Sequence, residues 1–326
     1  MKDTAINVLK ILEESPGPIS GEQIAEQLGV TRSAVWKQIR ELRRLGYSIS
    51  SSRAEGYRLE AKTDKLLPYE IHKKLRTRFI GKQIRYFDRT ASTSWIAKQL
   101  AGENDPAKLH GMVIIAEEQT GGVGRLGRAW VSPAGGIWIT TILKPKIPID
   151  HLFMITMAGS IAIARAIRKE YGISALIKWP NDIFVGGKKV AGLLLELAAE
   201  ADTVHYVLLG IGIDANISLA DLTPNLKDTV TSLEAEVGHE VDRVALLARV
   251  LREFELRYQQ LEDEEYDSII REWKSLSLTL DQRVAIRTIN KTFEGEAIDI
   301  DNYGALIIRR DDGRIERVIA GDCFQL

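Results

Sequence analysis

The stretch GGVGRLGRAW, residues 121–130, places Gly122, Gly124 and Gly127 at the G-x-G-x-x-G spacing of a dinucleotide-binding loop, so how it is read decides the fold. In a dinucleotide fold those glycines close a turn between a strand and a helix, and the helix N-terminus meets the pyrophosphate. The preceding run MVIIAEE, residues 112–118, is apolar and β-branched and predicts the strand. The residues after the third glycine, Arg128-Ala129-Trp130-Val131-Ser132-Pro133-Ala134-Gly135-Gly136, cannot open a long helix. No acidic residue waits at a strand end about 20 positions on to hold a ribose. A nicotinamide dinucleotide is therefore excluded. The stretch is instead a glycine loop with two arginines, Arg125 and Arg128, which suits an anion.

The chain has 326 residues, long for one core, so two or three domains are expected. Its 44 Lys and Arg against 45 Asp and Glu leave almost no net field, and any affinity for nucleic acid must come from a local patch. One cysteine, Cys323, excludes an intramolecular disulfide framework, and it reads as a small apolar filler in a reducing cytoplasm. The five histidines are scattered without HxxxH or HxH pairs, so no zinc site is expected. The N-terminal MKDTAINVLKILEESPG reads as a charged amphipathic helix rather than a signal peptide. No apolar run approaches about 18 residues, so no membrane segment is expected.

The chain reads as three segments, expected as domains at 1–62, 63–272 and 273–326. In the first, a helix stops at Ser15-Pro16-Gly17-Pro18. A second starts after Ser20, with Gln23 in capping-box spacing, and ends at Gly29. Thr31 can cap a third, TRSAVWKQIRELRRLG, which buries Val35, Ile39 and Leu42. Tyr47 to Leu59 reads as a hairpin turning at Glu55-Gly56, the wing of a winged helix-turn-helix. Between residues 31 and 58, seven cations against Glu41 and Glu55 leave plus five. A solvated helix face would carry such a run too, but with the helix-turn-helix spacing and the wing it favours DNA. Arg32, Ser33, Lys37 and Arg40 are the candidates on the third helix, and Arg53 or Arg58 in the wing.

The middle segment mixes strands (VIIAEE, IWITTIL, LLLELA, VLLGIGID) with helices (SWIAKQLAG, FMITMAGSIAIARAIRKEYG, RVALLARVLREFELRYQQLE) without a regular βαβ repeat, predicting an α+β domain on a mixed sheet. The last segment reads as four strands, RVAIRTI, FEGEAIDID, ALIIRR and RIERVIAG, in a small β-barrel. Three further stretches carry chemistry. Ser92-Thr93-Ser94 opens a helix and can cap it or meet a ligand. Lys178-Trp179-Pro180-Asn181-Asp182 crowds a lysine and an amide–carboxylate pair at a Pro-fixed turn, and beyond Gly186-Gly187 comes Lys189-Val190-Ala191-Gly192 with Glu196 a few residues on. Gly210-Ile211-Gly212-Ile213-Asp214-Ala215-Asn216 would let backbone approach a ligand.

A loop close to GRGRxGRxW, then KWPND, then K(L/V)AG with an acid after it, then GIGxxxN, in that order, resembles the biotin-protein ligases. With the winged helix and the terminal barrel, nearly the whole chain resembles the bifunctional biotin ligase and biotin-operon repressor of prokaryotes. The resemblance implies a class II synthetase-like catalytic domain and an SH3-like terminal barrel. It implies that biotin and ATP form biotinyl-5′-AMP, which a lysine of a biotin carboxyl carrier domain then attacks, with Mg²⁺ assisting. It also implies a homodimer formed with the adenylate as corepressor on operator DNA of biotin genes.

Residue by residue, the resemblance makes Lys189 the lysine that reaches the biotin carboxylate and the adenylate phosphate. Ser92, Thr93, Ser94 and Gln119 fall at the biotin contacts. Val123, Gly124 and Arg125 fall in the loop that closes over ligand, with Arg128 on the phosphates. Lys178, Asn181 and Asn216 fall near the nucleotide, and Asp182 at Mg²⁺ or the phosphates. Trp130 reads as a packing anchor. Three positions depart from the family pattern: Val123 replaces the first loop arginine, Ser94 an asparagine, and Asp214 another asparagine. Ligation alone, with an N-terminal domain that does not repress, is the alternative. A biotin sensor without ligation would have no need of phosphoryl-handling cations, and a lipoate-type ligase is more distant.

Overall fold

The structure, a computed structural model, describes all residues except 1, 2, 53, 201, 202, 222–225, 227, 289 and 290. The chain divides into two compact units, Met1–Lys73 and Lys74–Leu326.

Local signals build the first unit. Helix α1 (Asp3–Glu14) precedes α2 (Gly21–Leu28), where the Ser20 hydroxyl accepts from the Gln23 amide and the Gln23 side chain accepts from the Ser20 amide. That is the reciprocal capping box the sequence predicts. Gly29 takes the left-handed conformation that ends α2, and the Thr31 hydroxyl caps α3 (Arg32–Arg44). Strands β1 (Ser48–Ser52) and β2 (Gly56–Ala61) form the antiparallel wing, and α4 (Pro68–Lys74) comes next. Gly56 sits at φ 96°, and a Cβ there would lie 2.2 Å from the Ile19 carbonyl oxygen. Ile19 and Tyr57 exchange backbone hydrogen bonds at that point, tying the wing to the turn before α2.

The second unit is built on a seven-stranded sheet: β3 (Ile84–Thr90), β4 (Val113–Gln119), β5 (Ile137–Leu143), β6 (Leu176–Lys178), β7 (Asp182–Val185), β8 (Lys188–Glu200) and β9 (Thr203–Ile213). Its spatial order is β3-β4-β5-β9-β8-β7-β6, with β3 and β4 parallel and every other pair antiparallel. The expected mixed sheet is thus present. Helix α5 (Thr93–Glu103) covers one face and α6 (Phe153–Tyr171) the other. Alternation along β9 sends Leu208 into the cluster with Ala97 and Ala101 of α5, and Leu209 toward Gly159 of α6. Helices α8 (Arg243–Glu262) and α9 (Tyr266–Ser275) complete the layer with α6, which packs on both, and the short α7 (Leu233–Val237) is tied to the end of β9 by the Leu233 amide donating to the Asp214 carbonyl.

The expectation that no apolar run is long enough for a membrane meets an exception in α6. The stretch Ile149–Tyr171 is long and apolar enough to cross a membrane by length and composition. Thr156, Gly159 and Ser160 interrupt its apolar run in sequence, yet all three are buried in the helix. It is a core helix by burial, since 72 % of its most apolar window is enclosed within the protein.

The C-terminal segment forms an antiparallel sheet of β10 (Arg283–Arg287), β11 (Thr292–Ile300), β12 (Leu306–Arg309), β13 (Ile315–Val318) and β14 (Asp322–Gln325), in the order β13-β12-β11-β10-β14. The four expected strands become five. Sequence reasoning misses β14 because Asp322-Cys323-Phe324-Gln325 carries no β-branched residue, and its place in the sheet comes from long-range pairing with β10. Cys323 on β14 is buried, and burial pushes its thiol up to about 11.

Candidate active site and nucleic-acid face

On the α5 face of the sheet the side chains thin out beyond the core. The β9 positions facing the same way as Leu208 are Gly210 and Gly212. On β8, Gly192 pairs directly with Gly212 and Leu194 with Gly210. The paired glycines make a flat bed for the Trp130 indole. A Cβ on Gly212 would lie 2.7 Å from its Nε1, and one on Gly192 3.0 Å from its six-membered ring. The AG and GIG sequences therefore have a steric cause, the close approach of an aromatic ring to two strands. Trp130 is a packing anchor, as its sequence context implies, and also a wall of the cavity of about 360 Å³ that opens here.

Lys189 stands on the same wall. Gly186 and Gly187, both left-handed, turn β7 into β8, so Lys189 returns beside Asp182. Its Nζ lies 2.6 Å from Asp182 Oδ1 and 4.9 Å from the Trp130 ring centroid. Its backbone is held by residues 229–231: the Lys189 amide donates to the Thr229 carbonyl, and the Thr231 amide donates to the Lys189 carbonyl. Lys178 Nζ lies 4.9 Å over the Phe184 ring, also on the lining.

The loop 121–130 folds back on itself, with the Trp130 amide donating to the Gly122 carbonyl and the Gly124 amide to the Arg128 carbonyl. A Cβ at Gly122 would lie 2.5 Å from the Trp130 carbonyl oxygen, so that glycine is needed for close approach. Arg125–Gly127 is a tight turn in which Leu126 (φ 58°) and Gly127 (φ 72°) are both left-handed, so no helix opens there, in keeping with the rejection of a dinucleotide fold. Arg125 donates to Asn181 Oδ1 (3.1 Å) and to the Gly321 carbonyl (3.0 Å). Burial holds its guanidinium below the usual range, against the pull of Asp322 and Asp182. Arg128 makes a bidentate pair with Asp322, which holds that carboxyl below its ordinary range. Asn181 is fixed further by its Nδ2 donating to the Leu193 carbonyl (2.5 Å), and the Trp179 indole by donating to the Gly304 carbonyl (3.1 Å). The Asn302-Tyr303-Gly304 turn thereby braces the KWPND turn.

At the start of α5, Ser92 is the N-cap, accepting from the Trp95 amide. Gln119 Oε1 accepts from the Thr93 amide (2.8 Å) and the Thr93 hydroxyl (3.0 Å), and Gln119 Nε2 donates to Ser132 Oγ (2.9 Å). The Thr93 oxygen also lies 2.8 Å from Thr140 Oγ1, and Ser94 Oγ 3.2 Å from the same atom. Because a hydroxyl carries one proton and Thr93 spends its own on Gln119, Thr140 is the donor to Thr93. Ser94 keeps capacity to accept from a ligand.

The structure thus gathers Ser92, Thr93, Ser94, Gln119, Val123, Gly124, Arg125, Arg128, Lys178, Asn181, Asp182 and Lys189 around one cavity. Asn216 does not line it. Its amide bonds both ways with the Val241 backbone at 2.9 Å and is committed to holding that segment. Sequence reasoning misses four participants. Thr140 is signalled by two hydroxyls inside an apolar strand, whereas Ser132, Asp322 and the Gly321 carbonyl carry no local signal. Asp214, at the end of the glycine face, is 4 % exposed, and burial pushes its carboxyl up to about 8 despite the opposing charge of Lys189.

In the first unit, Arg32, Ser33, Lys37 and Arg40 lie exposed along α3, and Arg58 is exposed on β2. Arg53 lies outside the described residues. Arg43 is spent on the wing, donating twice to the Ile49 carbonyl, and Arg44 on Glu41.

Residues 86–214 match the biotin/lipoate A/B protein ligase family, residues 4–58 an HTH domain, and residues 279–325 the biotin protein ligase C-terminal domain. The chain is 39 % identical over 305 residues to the bifunctional ligase/repressor BirA of Bacillus subtilis (strain 168), covering 93 % of each chain. It is 30 % identical over 274 residues to the biotin--[acetyl-CoA-carboxylase] ligase of Mycobacterium tuberculosis, covering 81 % of this chain and 98 % of the relative. The biotin protein ligase of Aquifex aeolicus, solved in complex with biotin and ATP, superposes with a TM-score of 0.65 at 25 % identity, over 75 % of this chain and 99 % of that one. With its cation-lined cavity, its glycine bed under Trp130 and its N-terminal helix-turn-helix, the chain belongs to the biotin protein ligase family, in the form that carries a DNA-binding domain.

Proposed function

We propose that the protein activates biotin with ATP as biotinyl-5′-AMP and transfers it to a lysine of the biotin carboxyl carrier protein of acetyl-CoA carboxylase or a related carboxylase. It also represses genes of biotin synthesis and uptake, with the adenylate as corepressor. The observation that carries the ligase reading is Lys189, held by Asp182 and Trp130 in one cavity with Arg125, Arg128 and the Gln119–Thr93–Thr140 network.

In the first step a biotin carboxylate oxygen bonds to the α-phosphorus, and the bond to pyrophosphate breaks. In the second, the carrier lysine nitrogen bonds to the carbonyl carbon, AMP leaves, and the amine proton passes to solvent. Two anions must meet, so fixed cations lower the barrier more than a nucleophile would. Asp182 balances Lys189 until an entering carboxylate or phosphate takes its place. Arg125 and Arg128 hold the adenylate and its phosphates, and Ser92, Thr93, Ser94 and Gln119 the biotin head, with Val123 and Gly124 closing over it. Lys178 and Asn181 border the nucleotide. Mg²⁺ is held mostly by substrate phosphates and asks the protein for one or two carboxylates. Asp182 fits that need, and the ion would neutralise triphosphate charge.

The matches at 4–58, 86–214 and 279–325 fall inside the segments 1–62, 63–272 and 273–326, and support reading these as DNA-binding, catalytic and terminal domains. The catalytic domain is read as class II synthetase-like. The register shift in β11 between Ala297 and Asp299 supports curling of the terminal sheet into an SH3-like barrel. The functional setting is the cytoplasm without a membrane, and the adenylate-bound form is a homodimer on operator DNA.

Purified protein with biotin, Mg-ATP and a carrier domain should add one biotin to the carrier mass, and Lys189→Ala should abolish the gain. No gain with either protein would refute ligation. Arg32→Ala and Lys37→Ala should weaken operator binding and leave ligation intact.

A further inference from the structure

The solvent face of α3 carries more than charge. Arg32, Ser33, Trp36, Lys37 and Arg40 are all exposed, at the i, i+1, i+4, i+5 and i+8 positions of one stripe. Trp36 keeps 49 % of its surface open, although an indole is among the costliest side chains to leave in water. It is not a loose side chain, because the Arg40 guanidinium lies 4.8 Å from the ring centroid. Arg32, Lys37, Arg40 and Arg58 make no ion pair among the described residues, in contrast to Arg44 on the same helix. The face is therefore an apolar ring set among cations with unneutralised charge.

That combination fits the DNA major groove, which offers phosphates along its rims and one apolar group on its floor, the thymine 5-methyl. The stripe occupies the first turns of the second helix of a helix-turn-helix, the part that meets base edges. We propose that Trp36 reads sequence for this repressor by packing its indole on the 5-methyl group of a thymine in each operator half-site, while Arg40 holds the ring and faces the backbone. The inference rests on the repressor reading above and adds to it an apolar base contact that charge alone cannot supply.

The test uses the full-length protein with biotin and Mg-ATP, and the duplex it enriches from a randomised DNA library. Each thymine of that duplex is replaced in turn by uracil, which removes only the methyl group. Affinities are then measured for wild type, Trp36→Ala, Trp36→Phe and Lys37→Ala. One position per half-site should weaken wild type about four-fold, the worth of one buried methyl. Trp36→Ala should be indifferent to that change, and Trp36→Phe should retain part of it. Lys37→Ala should weaken every probe equally and lower the salt dependence. If no uracil position separates wild type from Trp36→Ala, or if Lys37→Ala loses the same thymine, the contact is refuted while repression stands. If no sequence is enriched, repression and the contact fall together.

Discussion

Asp214→Asn tests whether burial or charge governs the cavity. Asp214 closes the glycine face of β9, and the resemblance places asparagine at this position. Its burial raises the carboxyl from 3.8 to about 8, with Lys189 pulling the other way. At pH 7 roughly nine molecules in ten then carry the neutral acid, which offers one donor and one acceptor much as an amide does. The departure from asparagine is thus chemically muted near neutrality. Between about pH 6 and pH 9 the unfolded chain is ionised at this residue throughout, while the native chain gives up its proton as pH rises through about 8. A raised native value favours folding at low pH, and that advantage shrinks by about 2 to 3 kcal/mol across this range. For a unit of this size the loss corresponds to about 4 to 6 °C in Tm. Parallel thermal melts of wild type and Asp214→Asn without ligand, at constant ionic strength, should show a decline in wild type that is smaller in the variant by that amount. Ligation at pH 7 should survive the substitution, and near pH 9 the variant should outperform wild type, where an ionised Asp214 would compete for Lys189. Parallel decline of the two melting curves, or loss of ligation by Asp214→Asn at pH 7, would refute the reasoning.

The glycine bed and the cavity rim each carry a further expected outcome. Gly212→Ala places a Cβ 2.7 Å from the Trp130 indole nitrogen, so it should displace the ring and depress carrier ligation strongly, with an overpacking cost of about 1 to 3 kcal/mol in Tm measurements. Gly210→Ala, whose nearest neighbour is Ser94 Oγ at 3.3 Å, should be much milder, and equal effects would argue against the glycine bed. Val123 is half exposed on the cavity rim, and Val123→Arg restores a cation there; a charged hydrogen bond of roughly 1.5 to 3 kcal/mol should slow adenylate release tenfold or more, read by rapid filtration of labelled adenylate. An unchanged release rate would leave Val123 without a role in retention.

What the sequence alone determined were features whose hydrogen bonds close within a few residues. The Ser20–Gln23 capping box, the Thr31 cap, the Gly186-Gly187 turn that returns Lys189 to Asp182, and the span of α8 are local, and their residue types suffice to specify them. The order of the loop, KWPND, lysine and glycine motifs also carried the family. Tertiary structure decided what those motifs are for. Gly192 and Gly212 are adjacent only because β8 and β9 pair in that register, and their lack of side chains has a purpose only because Trp130 lies across them. Arg128 meets Asp322 across 194 positions, and Arg125 meets the Gly321 carbonyl across 196. No local pattern announces such pairs, because they are set by how the terminal sheet packs. Asn216 looked like a ligand residue by motif, yet packing assigned its amide to Val241. The protonation of Asp214 belongs to the same class: the residue is written in the sequence, but its charge depends on how much water the folded chain leaves around it.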